Sequence, residues 1–94
     1  MVLMKNLEKI FKALANRRRL SIIKLLAKNK ELPVAEIAER INLSFTSTSK
    51  HLRMLHQLDI LDRRQESLVV YYRLANPPPL VIKILIPTLS NSRE

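Results

Sequence analysis

Apolar residues recur along this chain with two different periods, and the change of period divides it into elements. Leu3, Leu7, Ile10, Phe11 and Leu14 fall at helical spacing and predict an amphipathic helix over 3–14. Asn16 offers an N-cap for a second helix through Leu20, Ile22, Ile23, Leu25 and Leu26, which closes near Asn29. Glu31-Leu32-Pro33 predicts a short extended connector, because Pro33 pushes Leu32 out of helical angles. Val34, Ile37, Ala38 and Ile41 give a third, short helix that Asn42 closes. Ser44 caps a longer helix reaching Leu58. There Thr48, Leu52 and Leu55 form the core-facing stripe, with Phe45 and Leu58 at its ends. Asp59 breaks that helix. Residues 60–64 and 68–74 are then rich in β-branched and aromatic side chains and predict a hairpin, with Gln65-Glu66-Ser67 as the connection. Tyr71 and Tyr72 point to opposite faces of it, so at least one belongs to the core. Asn76-Pro77-Pro78-Pro79 is a stiff extended linker. The segment 80–86 is apolar nearly all round, a helix or a strand that Pro87 shortens or kinks.

The order α-α-(short extended)-α-α-β-β-α is mainly α with a small β-hairpin, an α+β fold. A short helix joined to a long one by Asn42-Leu43-Ser44 is the layout of a helix-turn-helix, and the hairpin beside it makes the winged form. Ninety-four residues suit a single domain, 1–94, and a domain this small buries proportionally little surface alone. The apolar segment after the prolines needs a large surface to cover it, most simply a second copy of the chain. We therefore expect a homodimer with residues 1–14 and 79–90 as dimerisation segments and Leu3, Leu7, Ile10, Leu80, Ile84 and Leu85 at the interface.

Charge narrows the function. Seventeen Lys and Arg against eight Asp and Glu leave a net charge of +9, and a folded basic domain points to a polyanionic partner. The cations are not spread evenly. From Ser44 to Leu58 there is no carboxylate, and the face opposite the stripe carries Thr46, Ser47, Ser49, Lys50 and Arg53, with His51 and Gln57 as further donors. Hydroxyls and cations alone suit phosphates and base edges, whereas a helix built only for solubility mixes Glu with Lys. Arg63, Arg64 and Gln65 are expected at the hairpin tip, within reach of a DNA backbone or minor groove. The run Arg17-Arg18-Arg19 opposes the dipole at its helix N-terminus. It either grips phosphate, or is solvated with Arg19 in an internal ion pair.

The chain has no cysteine, which removes disulfides and thiolate metal sites. It has no glycine either, so Asn29, Asn42 and Asp59 are expected to supply positive φ where helices stop. Met1–Met4 is too short for the apolar core of a signal peptide, and 80–85, interrupted by Lys83, is too short to span a bilayer, so a cytoplasmic protein without membrane contact is expected. No nucleophile–base set, carboxylate pair or phosphate loop is visible, and the expectation is not an enzyme.

Several stretches carry a resemblance. Leu14-Ala15-Asn16 followed by Arg19-Leu20 and Ile23-Leu25-Leu26, then Ser49-Lys50-His51-Leu52 with Leu55, then Arg63-Arg64 and Val70-Tyr71-Tyr72-Arg73-Leu74, together resemble the winged-helix repressors of the ArsR type over nearly the whole chain. The resemblance implies a homodimer packed through its first and last helices, binding a palindromic operator and repressing transcription. By position it implies DNA contacts from Thr46, Ser47, Ser49, Lys50 and His51 and wing contacts from Arg63 and Arg64. The chain departs from the family in having Asn42, Asp59 and Glu66-Ser67 where glycine is usual. It also lacks the cysteines of the family's third helix and the paired Asp and His of its last, so neither a metal nor another cofactor is expected. DNA-binding residues are thus expected at Ser44, Thr46, Ser47, Ser49, Lys50, His51, Arg53, Arg63, Arg64 and Gln65, with double-stranded DNA as partner. The competing class is a winged-helix module that docks another protein through 80–89.

Overall fold

The computed structural model describes residues 4–93. Five helices and three strands follow in the order α1 (Met4–Leu14), α2 (Arg17–Lys28), β1 (Leu32–Pro33), α3 (Val34–Arg40), α4 (Phe45–Gln57), β2 (Leu61–Glu66), β3 (Val69–Leu74) and α5 (Leu80–Ser90). The caps work as their side chains allow. Asn16 is extended and its side chain accepts from the Arg19 amide at 3.1 Å; Ser44 does the same for Ser47 at 3.1 Å.

Without glycine, two helices close on other residues that tolerate positive φ. At the end of α3, Asn42 sits at φ 57, its amide bonds to Glu39 O and the Leu43 amide to Ala38 O. At the end of α4, Asp59 sits at φ 60, its amide bonds to His56 O and the Ile60 amide to Leu55 O. Both have the bond pattern of a Schellman closure, and at the second the next residue, Ile60, is buried in the core. Asn29 departs from the expectation: it is extended at φ −125 and closes α2 with its side-chain amide on Leu25 O at 2.9 Å. The third positive φ falls instead on Ser67, at 56, in the hairpin turn.

The core is centred on α2, which packs against α1, α4, α5 and β3. Ile22 and Ile23 meet Ile37, Leu52, Leu55, Ile60, Leu61 and Ile82, all essentially without solvent contact. Tyr72 joins them at 2% exposure, while Tyr71 is half-buried on the other face. Phe45, expected at the end of the core stripe, is instead 58% exposed. As the first residue of α4 it projects beyond the layer that Leu52 and Leu55 fill.

The expected connector at 32–33 is a strand, β1, pairing antiparallel with β3 through Leu32↔Tyr72 and Pro33↔Tyr71. The wing hairpin therefore belongs to a three-stranded sheet in the order β1-β3-β2. Pro33, which has no amide to donate, sits on the edge strand. The hairpin runs from Leu61↔Leu74 to Glu66↔Val69, so Ser67-Leu68 is the turn, and Gln65 and Glu66 are strand residues. The last segment is a helix, and it continues through Pro87 to Ser90 rather than stopping short. An internal proline removes one backbone bond. Here Ile82, Leu85, Ile86 and Leu89 hold α5 on the core, Asn91 closes on Pro87 O, and Lys24 Nζ donates to Ser92 O at 2.6 Å.

Among the described residues, one buried polar side-chain atom has no partner: the Thr48 hydroxyl, on a side chain with no exposure. Burying an unpaired hydroxyl costs about 1–3 kcal/mol in protein interiors, and valine fills nearly the same volume without that cost. Thr48→Val is expected to raise stability by about 1–2 kcal/mol, which for a chain of this length lifts Tm by several degrees. Thermal melts of both proteins at one fixed concentration check this, and an unchanged or lower Tm would contradict it.

Candidate nucleic-acid interface

The positions that face outward on α4 follow from its buried stripe. With Thr48, Leu52 and Leu55 inside, the line Thr46–Lys50–Arg53 at i, i+4, i+7 is opposite, and all three side chains are exposed. Ser44 is exposed at the cap. The two flanks differ. Towards the wing, Ser49 and Arg53 line one groove with Arg63, Phe45 and Leu68. Towards α2, Ser47 and His51 are half-buried.

His51 is tied to the amino-terminal helices. Its Nδ1 lies 3.2 Å from Arg19 Nη1, and a guanidinium can only donate, so Nδ1 accepts and the neutral ring carries its proton on Nε2. Burial, then the nearby charges of Arg19 and Arg18, hold its pKa below the ordinary histidine value. His51 is thus a neutral group that can donate through Nε2 alone.

Two of the three arginines that start α2 are held by the ends of other helices. Arg19 donates through Nε to Ala13 O and through Nη2 to Lys12 O, the closing carbonyls of α1. Arg18 Nη1 donates to Ile41 O at 2.7 Å, at the close of α3. Cations beside the negative ends of two other helices offset their unfavourable place at the start of their own. Arg19 therefore serves inside the fold, through carbonyls and His51 rather than the expected ion pair.

The wing also departs from expectation. Strand alternation puts Arg63 on the side of Tyr72, facing the groove beside α4, and Arg64 on the opposite side with Tyr71. Neither is at the tip, which is Ser67-Leu68; Gln65 reaches it only by donating from Nε2 to Ser67 O at 3.2 Å. Arg64 is held three ways: Nη2 on Glu31 Oε1 at 2.7 Å, Nη1 on Glu66 Oε2 at 3.2 Å, and its guanidinium 4.3 Å above the Tyr71 ring. These carboxylates raise the Arg64 pKa further, and the Arg64 hydrogen bond lowers that of Glu31. Glu66, out of place beside phosphates, has its partner here. The Glu31 contact was not legible along the chain, because it depends on β1 joining the sheet.

A second set of exposed apolar residues, apart from Phe45 and Leu68, gathers on α1 and α5. Leu7, Ile10, Phe11, Pro79, Leu80, Val81 and Ile84 line one groove. Leu80 and Ile84 are 70% and 68% exposed, and Met4 and Phe11 are also open to solvent. Ile10 is buried at its floor and belongs to the core, and Leu85 is half-buried against the core. Leu3 lies outside the described residues.

Comparison with known proteins identifies the fold and the family. The family model for winged helix-turn-helix DNA-binding domains matches residues 16–62. The transcriptional activator HlyU of Vibrio cholerae is 39% identical over 67 residues, covering 71% of this chain and 61% of HlyU. The cadmium resistance transcriptional regulatory protein CadC of Listeria innocua is 39% identical over 75 residues, covering 80% of this chain and 59% of CadC. The chain thus spans about 60% of the length of these relatives. Among solved structures, HlyU from Vibrio cholerae superposes with a TM-score of 0.75 at 34% identity, covering 90% of this chain and 88% of that one. A homodimeric winged helix-turn-helix domain from Mycobacterium bovis, described as a possible ArsR-family regulator, superposes with a TM-score of 0.75 at 31% identity, over 92% of this chain and 76% of that one. With its helix-turn-helix at α3–α4 and its wing at β2–β3, the chain belongs to the ArsR-type family of winged helix-turn-helix DNA-binding transcriptional regulators.

Proposed function

We propose that the protein is a dimeric repressor that occupies a palindromic operator, with α4 in the major groove and the wing beside it. The observation that carries this is the outer line of α4, where Thr46, Lys50 and Arg53 are exposed on a helix without a single carboxylate. In this arrangement Thr46, Ser47 and Lys50 face base edges, while Ser44, Ser49, His51 Nε2 and Arg53 hold phosphates. No catalytic step is assigned to the protein. Residues 4–14 and 79–90 supply the dimer contact through Leu7, Leu80 and Ile84, with Phe11 added to the expected set because it lines the same groove. The homodimeric Mycobacterium bovis domain supports the assembly. Selection of bound sequences from random duplex DNA tests the proposal. It should enrich an inverted repeat with half-sites about 34 Å apart, one helical turn between centres. Enrichment of no sequence, or of an unrepeated one, would refute it.

Within this proposal the two wing arginines differ. Arg63 is exposed beside α4, whereas Arg64 has two carboxylate partners and a ring. Arg63→Ala is expected to lower the log–log salt slope of binding by about one unit, the signature of one lost phosphate contact. Arg64→Ala should leave the slope nearly unchanged. Titrations over a salt series check both, and equal slope changes would place Arg64 on the DNA as well.

A further inference from the structure

Phe45 is an exposed aromatic ring where the fold gives it no core to fill. It is 58% exposed, at the first position of α4, on a backbone that the Ser44 cap holds in place. Its groove, of about 380 Å³, is bordered by Ser49, Arg53 and Arg63 and closed at the wing by Leu68, and no Asp or Glu lines it. An apolar wall flanked by cations fits a partner that is apolar at one point and anionic around it. A protein surface of that kind would place carboxylates irregularly. Duplex DNA supplies the pattern by construction: the only apolar group on the major-groove edge of a base is the thymine 5-methyl, and it lies between two phosphate backbones. The first turn of a recognition helix is also the part that meets base edges.

We propose that Phe45 is a specificity-determining residue that packs on a thymine methyl in each half-site, with Arg53 and Arg63 on the flanking phosphates. This rests on the DNA-binding proposal above and adds a base preference that the hydroxyls of Thr46 and Ser47 do not impose. The same apolar contact cannot be made to cytosine or to deoxyuridine, which lack the methyl.

The test replaces each thymine of the selected operator half-site, one at a time, by deoxyuridine, which removes only the methyl. Wild type and Phe45→Ala are titrated against every duplex and against a scrambled one. At one thymine per half-site, wild type should lose about fourfold in affinity, the factor implied by one methyl-sized group left unburied. Phe45→Ala should already be weaker on the thymine duplex and should show no further loss at that position. Phe45 is exposed, so an unchanged thermal melt confirms that the variant is folded. If both proteins prefer operator to scrambled DNA but respond alike at every thymine, Phe45 is not the reader and the DNA-binding proposal stands. If wild type does not separate operator from scrambled duplex, both fall.

Discussion

Ile84→Asp is expected to turn the protein into a monomer at micromolar concentration and to weaken operator binding by about a hundredfold or more. Ile84 is 68% exposed on α5 in a groove shared with Leu7, Phe11 and Leu80, so a carboxylate there can stay in solvent in the isolated subunit. The fold of the subunit should survive. In a twofold dimer the same patch meets itself, so one substitution introduces two charges into one interface. An unpaired charge buried this way costs roughly 3–5 kcal/mol, more than the margin of a typical dimer at working concentration can absorb. Operator affinity falls with assembly because two half-sites are then no longer held by one rigid body. Sedimentation gives the oligomeric state, and far-ultraviolet dichroism shows whether the subunit is still folded. A wild type that sediments as a monomer, or an Ile84→Asp protein that remains a dimer, would remove α5 from the interface.

How far the sequence foretold this molecule depended on the range of the interactions involved. Helix positions and caps were legible because they are local: Asn16 and Ser44 cap as expected, and Asn42 and Asp59 take the left-handed positions that glycine would otherwise fill. The buried stripe Thr48, Leu52 and Leu55 followed from period alone. What the chain hid was set by distant partners. Two residues at 32–33 have no period to detect, and they become a strand only because β3 lies beside them. That pairing brings Glu31 to Arg64 across 33 positions, a contact that no local pattern announces. Likewise, the helix ends that hold Arg18 and Arg19 come from α3 and α1, which no spacing within Arg17-Arg18-Arg19 could reveal. Pro87, expected to shorten or kink the helix, does not end it, for the complementary reason. Its local cost is real, but the packing of α5 on the core outweighs it.

Lys50→Ala and Thr46→Ala are each expected to cost about 1–3 kcal/mol on the preferred operator and much less on random duplex. Both side chains are exposed in the first turns of α4, on the line furthest from the Thr48–Leu52–Leu55 stripe. Lysine can reach the acceptor pair of a guanine, and a threonine hydroxyl can donate or accept. Such bonds exist only with the right base, so their loss appears in the operator complex alone. Arg53 lies on the same line seven residues beyond Thr46, about 10 Å along the axis, where a helix entering the groove has risen to the backbone. Arg53→Ala should therefore weaken operator and scrambled DNA alike and lower the salt slope. Ser47 tests the geometry in between. It is half-buried on the α2 flank, so Ser47→Ala should cost less than Lys50→Ala on the operator. Titration of the four variants against both duplexes at one fixed salt concentration separates these effects. If Lys50→Ala and Thr46→Ala reduce both affinities equally, α4 contributes only charge. Sequence would then have to be read through DNA shape, where the protein touches backbone and the bases set the cost of bending.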